Sequence, residues 1–186
     1  NAVTKIYVNG TERASGSPGA TTPAVNWGNS WMVGRITGNV PIGPSPQHAF
    51  MDNVRAWNVT LTPAQVAALA GQQPPVSSPA YPAPVSEFRF SENSGNAVSS
   101  IGGFTLVPAA SSSWETGRIK GPLTGPLGPN ANVDNWSIAF DLTVNQAWTG
   151  WLGFVGRSSP RLDITASAAG QIGIWLGGGN SIISGS

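Results

Sequence analysis

The chain has no cysteine. That excludes a disulfide framework and any thiolate-held metal, and it leaves the compartment open, because bacterial and viral surface proteins often do without disulfides. Charge is also scarce: Asp, Glu, Lys and Arg make up 9% of the 186 residues, against an average near 25%. The net charge of +1 divides into four basic and two acidic residues in 1–72, and five basic and six acidic residues in 73–186. Neither part has the basic footprint that a nucleic-acid binder needs. No apolar run approaches the ~20 residues of a membrane span, and no signal-peptide core is present. The first residue is Asn1 rather than Met, which reads as a processed or excerpted chain.

What the sequence has in abundance is turn residues, with 24 Gly and 16 Pro. Many short strands joined by turns follow, so the fold class is all-β, an antiparallel β-sandwich. In Trp136-Ser137-Ile138-Ala139-Phe140-Asp141-Leu142 large apolar residues alternate with small or polar ones, the period of a half-buried strand. Lys5-Ile6-Tyr7-Val8 runs into Asn9-Gly10, a strong hairpin signal. Leu162 and Ile164 before Ala169-Gly170, with Ile172, Ile174 and Leu176 after it, predict a second hairpin. One short helix is expected near 62–70, with Thr62 as N-cap, Pro63 at the first position, Gln65 closing a capping box and Gly71 as the stop. The five prolines between Gly71 and Val85 predict an extended, semi-rigid linker over 73–86.

Several phrases carry a family resemblance. K-I-Y-V-N-G, W-M-V-G-R and F-M-D-N-V-R-A-W-N-V-T-L-T-P-A-Q-V-A-A-L in residues 1–72 resemble the closing half of a laminin-G-like jelly roll of the concanavalin A-like class. F-R-F-S-E-N-S-G-N-A-V, G-R-I-K-G-P-L and N-W-S-I-A-F-D-L in residues 87–186 resemble the opening half. Asn53 stands where the family usually has an acid, and Ser99 and Ser100 stand where another is common. The halves are thus in inverted order, and the strand that normally joins Ile182-Ile183 to the Lys5 phrase is missing. Three readings stay open: an excerpt of a tandem array, a circular permutant, or a subunit that donates strands. The Pro-rich linker favours halves that close on segments outside the chain.

The resemblance implies a non-catalytic surface module, extracellular, on a cell surface or in a virion, functioning in adhesion or carbohydrate recognition. The alternatives are a purely structural repeat or strand-exchanging subunit, and an accessory fragment of a glycoside hydrolase. Partners would be a glycan and neighbouring copies or adjacent domains, with no nucleic acid and no membrane span. Related hydrolases carry their acids as Glu-x-Asp-x-x-Glu, which is absent here. Asp52, Glu92 and Asp141 each stand alone in their segments, so no enzyme activity is expected. His48, the single histidine, lies in no nucleophile motif.

Many relatives hold Ca²⁺ at the sandwich rim. Asp52 and Asp163 are the acids to consider, but no acidic cluster surrounds either; carbonyl ligands leave no mark in a sequence, so calcium stays open, no ligands are assigned and no other cofactor is expected. Of the eight tryptophans, Trp57, Trp136 and Trp175 fall in strand patterns and belong to the core. Trp27 and Trp148 lie among turn residues and amides, and are the candidates for stacking on a sugar. Arg157 and Arg161, flanking Ser158-Ser159-Pro160, read as solvated loop charges.

Overall fold

The computed structural model describes residues 3–16, 24–34, 49–70, 81–144, 151–158, 161–176 and 181–183. The first part holds β1 (Thr4–Val8), β2 (Thr11–Gly16), β3 (Val25–Asn26), β4 (Trp31–Val33), β5 (Ala49–Trp57) and the helix α1 (Pro63–Leu69). Next come β6 (Ser86–Phe88), β7 (Ala97–Val98), β8 (Thr105–Pro108), β9 (Ser113–Glu115) and β10 (Arg118–Lys120). The rest are β11 (Leu123–Gly125), β12 (Asn132–Val133), β13 (Ser137–Val144), β14 (Trp151–Ser158), β15 (Arg161–Ser167), β16 (Ile172–Leu176) and β17 (Ser181–Ile183).

Local chemistry sets the turns and the cap. Asn9 and Gly10 take φ of 49° and 77°, the two left-handed residues of a type I′ turn, so β1 and β2 pair with Val8 opposite Thr11. A Cβ on Gly10 would also stand 2.8 Å from that of Ala70 at the end of α1. In the capping box, the Thr62 N–H donates to Gln65 Oε1 at 2.8 Å and Gln65 N–H donates to Thr62 Oγ1 at 3.3 Å. Ala70, in extended conformation, closes the helix; Gly71 lies outside the described residues. The second expected hairpin is β15–β16, with Leu162 opposite Leu176 and Ile164 opposite Ile174.

Two sheets face each other across one core. The longer runs β17-β16-β15-β14-β4-β11-β8-β7, and the other runs β13-β5-β10-β9 with β6 also on β5. Trp31, Val33, Leu106, Leu123, Val155 and Leu162 of the first meet Met51, Val54, Ala56, Phe88 and Ile119 of the second. Each fully buried Leu, Val or Phe stabilises the fold by roughly 1.5–3 kcal/mol. The architecture is the expected all-β sandwich with one short helix among the described residues.

Pairing between the two parts of the sequence departs from expectation. β5 is hydrogen-bonded to β13, β10 and β6, β4 lies between β14 and β11, and β3 pairs with β12. Strands of residues 1–72 therefore pair with strands of 87–186 in the same chain. The reason is complementarity: Met51, Val54 and Ala56 of β5 need an apolar neighbour, and Ile138, Phe140 and Leu142 of β13 supply one. At the chain's end, β17 lies against β2. The linker expectation over 73–86 also changes at its C-terminal end. Tyr81 is buried, Pro82 O accepts from Trp57 Nε1 at 2.8 Å, and Val85 N–H donates to Ala56 O at 2.8 Å. Residues 73–80 lie outside the described residues.

Candidate functional site

The outward face of the five-stranded sheet brings together Asp52, Glu87, Glu115 and Asp141 with Arg55 and Arg118. A bulge in β5 makes this possible. The register with β13 moves from Ala139 opposite Arg55 to Asp141 opposite Asp52, so β5 carries one extra residue. Asn53, at φ 50°, absorbs it in the left-handed conformation that asparagine tolerates better than most residues. With that residue inserted, Asp52 and Arg55 share the outer face although they are three apart, while Met51 and Val54 both join the core.

Asp52 and Asp141 are cross-strand partners in a cleft of about 630 Å³, lined also by Phe50, Glu115, Arg118 and Thr143. Asn53 Nδ2 donates to Asp141 Oδ2 at 2.7 Å, and Asn53 N–H donates to Asp52 Oδ1 at 2.7 Å. Burial, reinforced by the neighbouring Asp141 charge, pushes the Asp52 carboxyl up to about 6, against opposition from the Asn53 N–H, Arg55 and Arg118. Asp52 thus changes protonation much closer to neutrality than an ordinary carboxyl. Arg118 pairs with Glu115 at 2.8 Å and its guanidinium covers the Phe50 ring at 4.2 Å from the centroid. Phe50 is therefore buried, and its face is not free for stacking.

Behind the cleft the same face is sealed. Arg55 Nε donates to Glu87 Oε1 at 2.9 Å, and Arg89 Nη2 pairs with Glu87 Oε2 at 2.6 Å. Trp57, Leu61 and Tyr81, backed by Val66 and Leu69 of α1, cover the far end. Among the described residues, the open cleft on this face is at the Asp52–Asp141 end.

The sugar-stacking candidates fare differently. Trp27 is fully buried, 5.0 Å from Trp31 and edge-on to Trp136 at 6.0 Å between ring centroids. It has no open face, so it is removed as a ligand-stacking residue. The amides around it serve the turn, with Gly28 N–H donating to Asn26 Oδ1 at 2.9 Å and Asn26 Nδ2 to Asn130 Oδ1 at 2.9 Å, while the indole points inward. Trp148 and His48 lie outside the described residues. Arg157 is not a solvated loop charge: it is buried in β14, with Nη2 donating to Ala24 O at 2.9 Å and its guanidinium 5.4 Å from the Trp31 ring centroid. Trp57 is buried as expected, and Trp136 packs partly buried against the core. Trp175 is half-buried and donates from Nε1 to Thr165 Oγ1 at 3.0 Å.

For a cation, the described residues offer no group of three His, Cys, Asp or Glu side chains. Burial favours the protonated form of Asp52, Asp141 Oδ2 accepts from Asn53, and Glu115 pairs with Arg118. This donor set does not fit the six to eight oxygens of a Ca²⁺ site. No helix among the described residues is long and apolar enough to cross a membrane.

Sequence reasoning missed the Asp52–Asp141 pair because the two acids lie on strands far apart in the chain. The usable signal was an aspartate in each of two apolar strands. No curated protein and no solved structure matches the chain. Residues 1–67 match the laminin-G family model described as the Concanavalin A-like lectin/glucanases superfamily. The two-sheet antiparallel sandwich is the architecture that this match over residues 1–67 implies.

Proposed function

We propose that the chain is a non-catalytic binding module of an extracellular or virion surface protein, and that it takes a glycan in the Asp52–Asp141 cleft. One observation carries the reading: carboxylates, a guanidinium and hydroxyls converge on an open concavity, on the face of the sandwich that is otherwise sealed. Carboxylates accept hydrogen bonds from sugar hydroxyls, and Arg118 donates to them. With Phe50 covered, recognition rests on these bonds rather than on a stacking platform.

A hydrolase is the second reading, because adjacent strands bring two acids together and the raised Asp52 suits a general acid. Against it, the Glu-x-Asp-x-x-Glu spacing of the related hydrolases is absent from the sequence. Titration calorimetry and reducing-sugar release on a panel of glucans and galactans separate the two. Binding without turnover is expected, weakened by about 1–2 kcal/mol, or roughly tenfold, in Asp141→Ala. Turnover abolished by Asp52→Asn would establish the hydrolase, and no binding across the panel would refute the glycan reading.

A further inference from the structure

Among the described residues, β13 is hydrogen-bonded to β5 alone, which makes it an edge of its sheet. It is eight residues long, whereas the edge strands β7, β9 and β17 have two or three. Native proteins blunt long edges with proline, lysine or an inward charge. β13, Ser-Ile-Ala-Phe-Asp-Leu-Thr-Val, has no proline, no lysine and one charge, on the outward face. None of Ser137 to Thr143 is fully buried, although Ile138, Phe140 and Leu142 point to the core. On β5 next door, by contrast, every residue from Phe50 to Trp57 except Asp52 is buried.

We propose that β13 pairs antiparallel with β13 of a second copy of this chain, in a register centred on Phe140. Residues directly opposite in such a pair share a face, so a joined sheet that keeps both apolar faces inward must centre on a residue. Centring on Asp141 sets two carboxylates opposite each other, which is repulsive. Centring on Ala139 keeps only Ser137 to Asp141 in register. Centring on Phe140 pairs all of Ser137 to Thr143, sets Ile138 against Leu142 and places Asp141 against Ala139. The strand is thus self-complementary in pattern and charge, which selects a second copy over an unrelated strand. The bond from Asn53 to Asp141 survives, and the clefts of the two copies lie side by side across the two-fold axis.

The chain has no cysteine of its own, so the register is readable by cross-linking. Thr143→Cys and Ser137→Cys proteins of the full chain are oxidised mildly, separately and mixed, alongside sedimentation of the unmodified protein. A concentration-dependent dimer is expected, with a 143–137 disulfide at least roughly tenfold more abundant in the mixture than either like-with-like product. In this register two copies of residue 143 stand roughly 20 Å apart, far beyond disulfide reach. A monomer up to about 100 µM, far above the concentrations at which a specific dimer forms, overturns the proposal. So does a dimer that yields no mixed disulfide, which would mean another face or register.

Discussion

Glu87→Ala is expected to remove about 3–5 kcal/mol of folding stability, read as a lower urea midpoint. Arg55 and Glu87 are 4% and 2% exposed, so deleting the carboxylate strands a cation where water does not reach. Arg55 Nη2 already lacks a hydrogen-bond partner, so the bond from Nε to Glu87 is the one that satisfies the buried guanidinium. Arg89 also loses its acceptor, and Ser100 Oγ keeps only its longer bond to the Glu87 carbonyl, at 3.3 Å. Replacing Arg55 and Glu87 together by methionine is expected to cost much less, because no buried charge remains. Burial opposes the Glu87 carboxylate, but hydrogen bonds from Arg55, Arg89 and Ser100 outweigh it and hold the group below its usual 4.5. The sign follows: this contribution is complete above that range and fades as pH falls through the native value. The part of the acid-side pH slope that Glu87 contributes should vanish in Glu87→Ala. A loss under about 1 kcal/mol would place the pair among ordinary surface contacts.

Trp27→Ala is expected to destabilise the protein by about 3–5 kcal/mol, the range for emptying a buried aromatic site. Trp27 joins Trp31 and Trp136 at the point where the β3–β4 turn meets the core. It is held from outside as well, since Leu127 and Gly128 both donate backbone N–H groups to its carbonyl, at 2.8 and 3.2 Å. Trp27→Phe should cost far less, because it keeps an aromatic ring and removes an indole N–H that has no partner. Thermal melts of the two variants decide. An alanine variant as stable as wild type would show that the indole is not part of the core.

Local structure was legible in the sequence wherever one short segment contains its own cause. Asn9-Gly10 needs nothing beyond two left-handed residues, and Thr62 to Gln65 satisfy each other's backbone groups. The alternation in β13 likewise told which side of the strand faces the core. Long-range pairing was not legible, because any strand with an apolar face satisfies the same pattern. The site was hidden for that reason: Asp52 and Asp141 meet only once β5 and β13 are neighbours in a register that includes the Asn53 bulge. Trp27 and Arg157 misled in another way. Turn residues beside each suggested a side chain in solvent, and both side chains nevertheless turn inward onto Trp31.

The central claim is that residues 1–72 and 87–186 build one core, with β5 and β4 seated between strands from the other part of the sequence. Differential scanning calorimetry of the full chain tests it most directly. One transition is expected, with equal calorimetric and van't Hoff enthalpies per folding unit and a total near 130 kcal/mol for 186 residues, at roughly 0.7 kcal/mol per residue. Two independent transitions, or a calorimetric enthalpy about twice the van't Hoff value, would contradict it by showing that the parts fold separately.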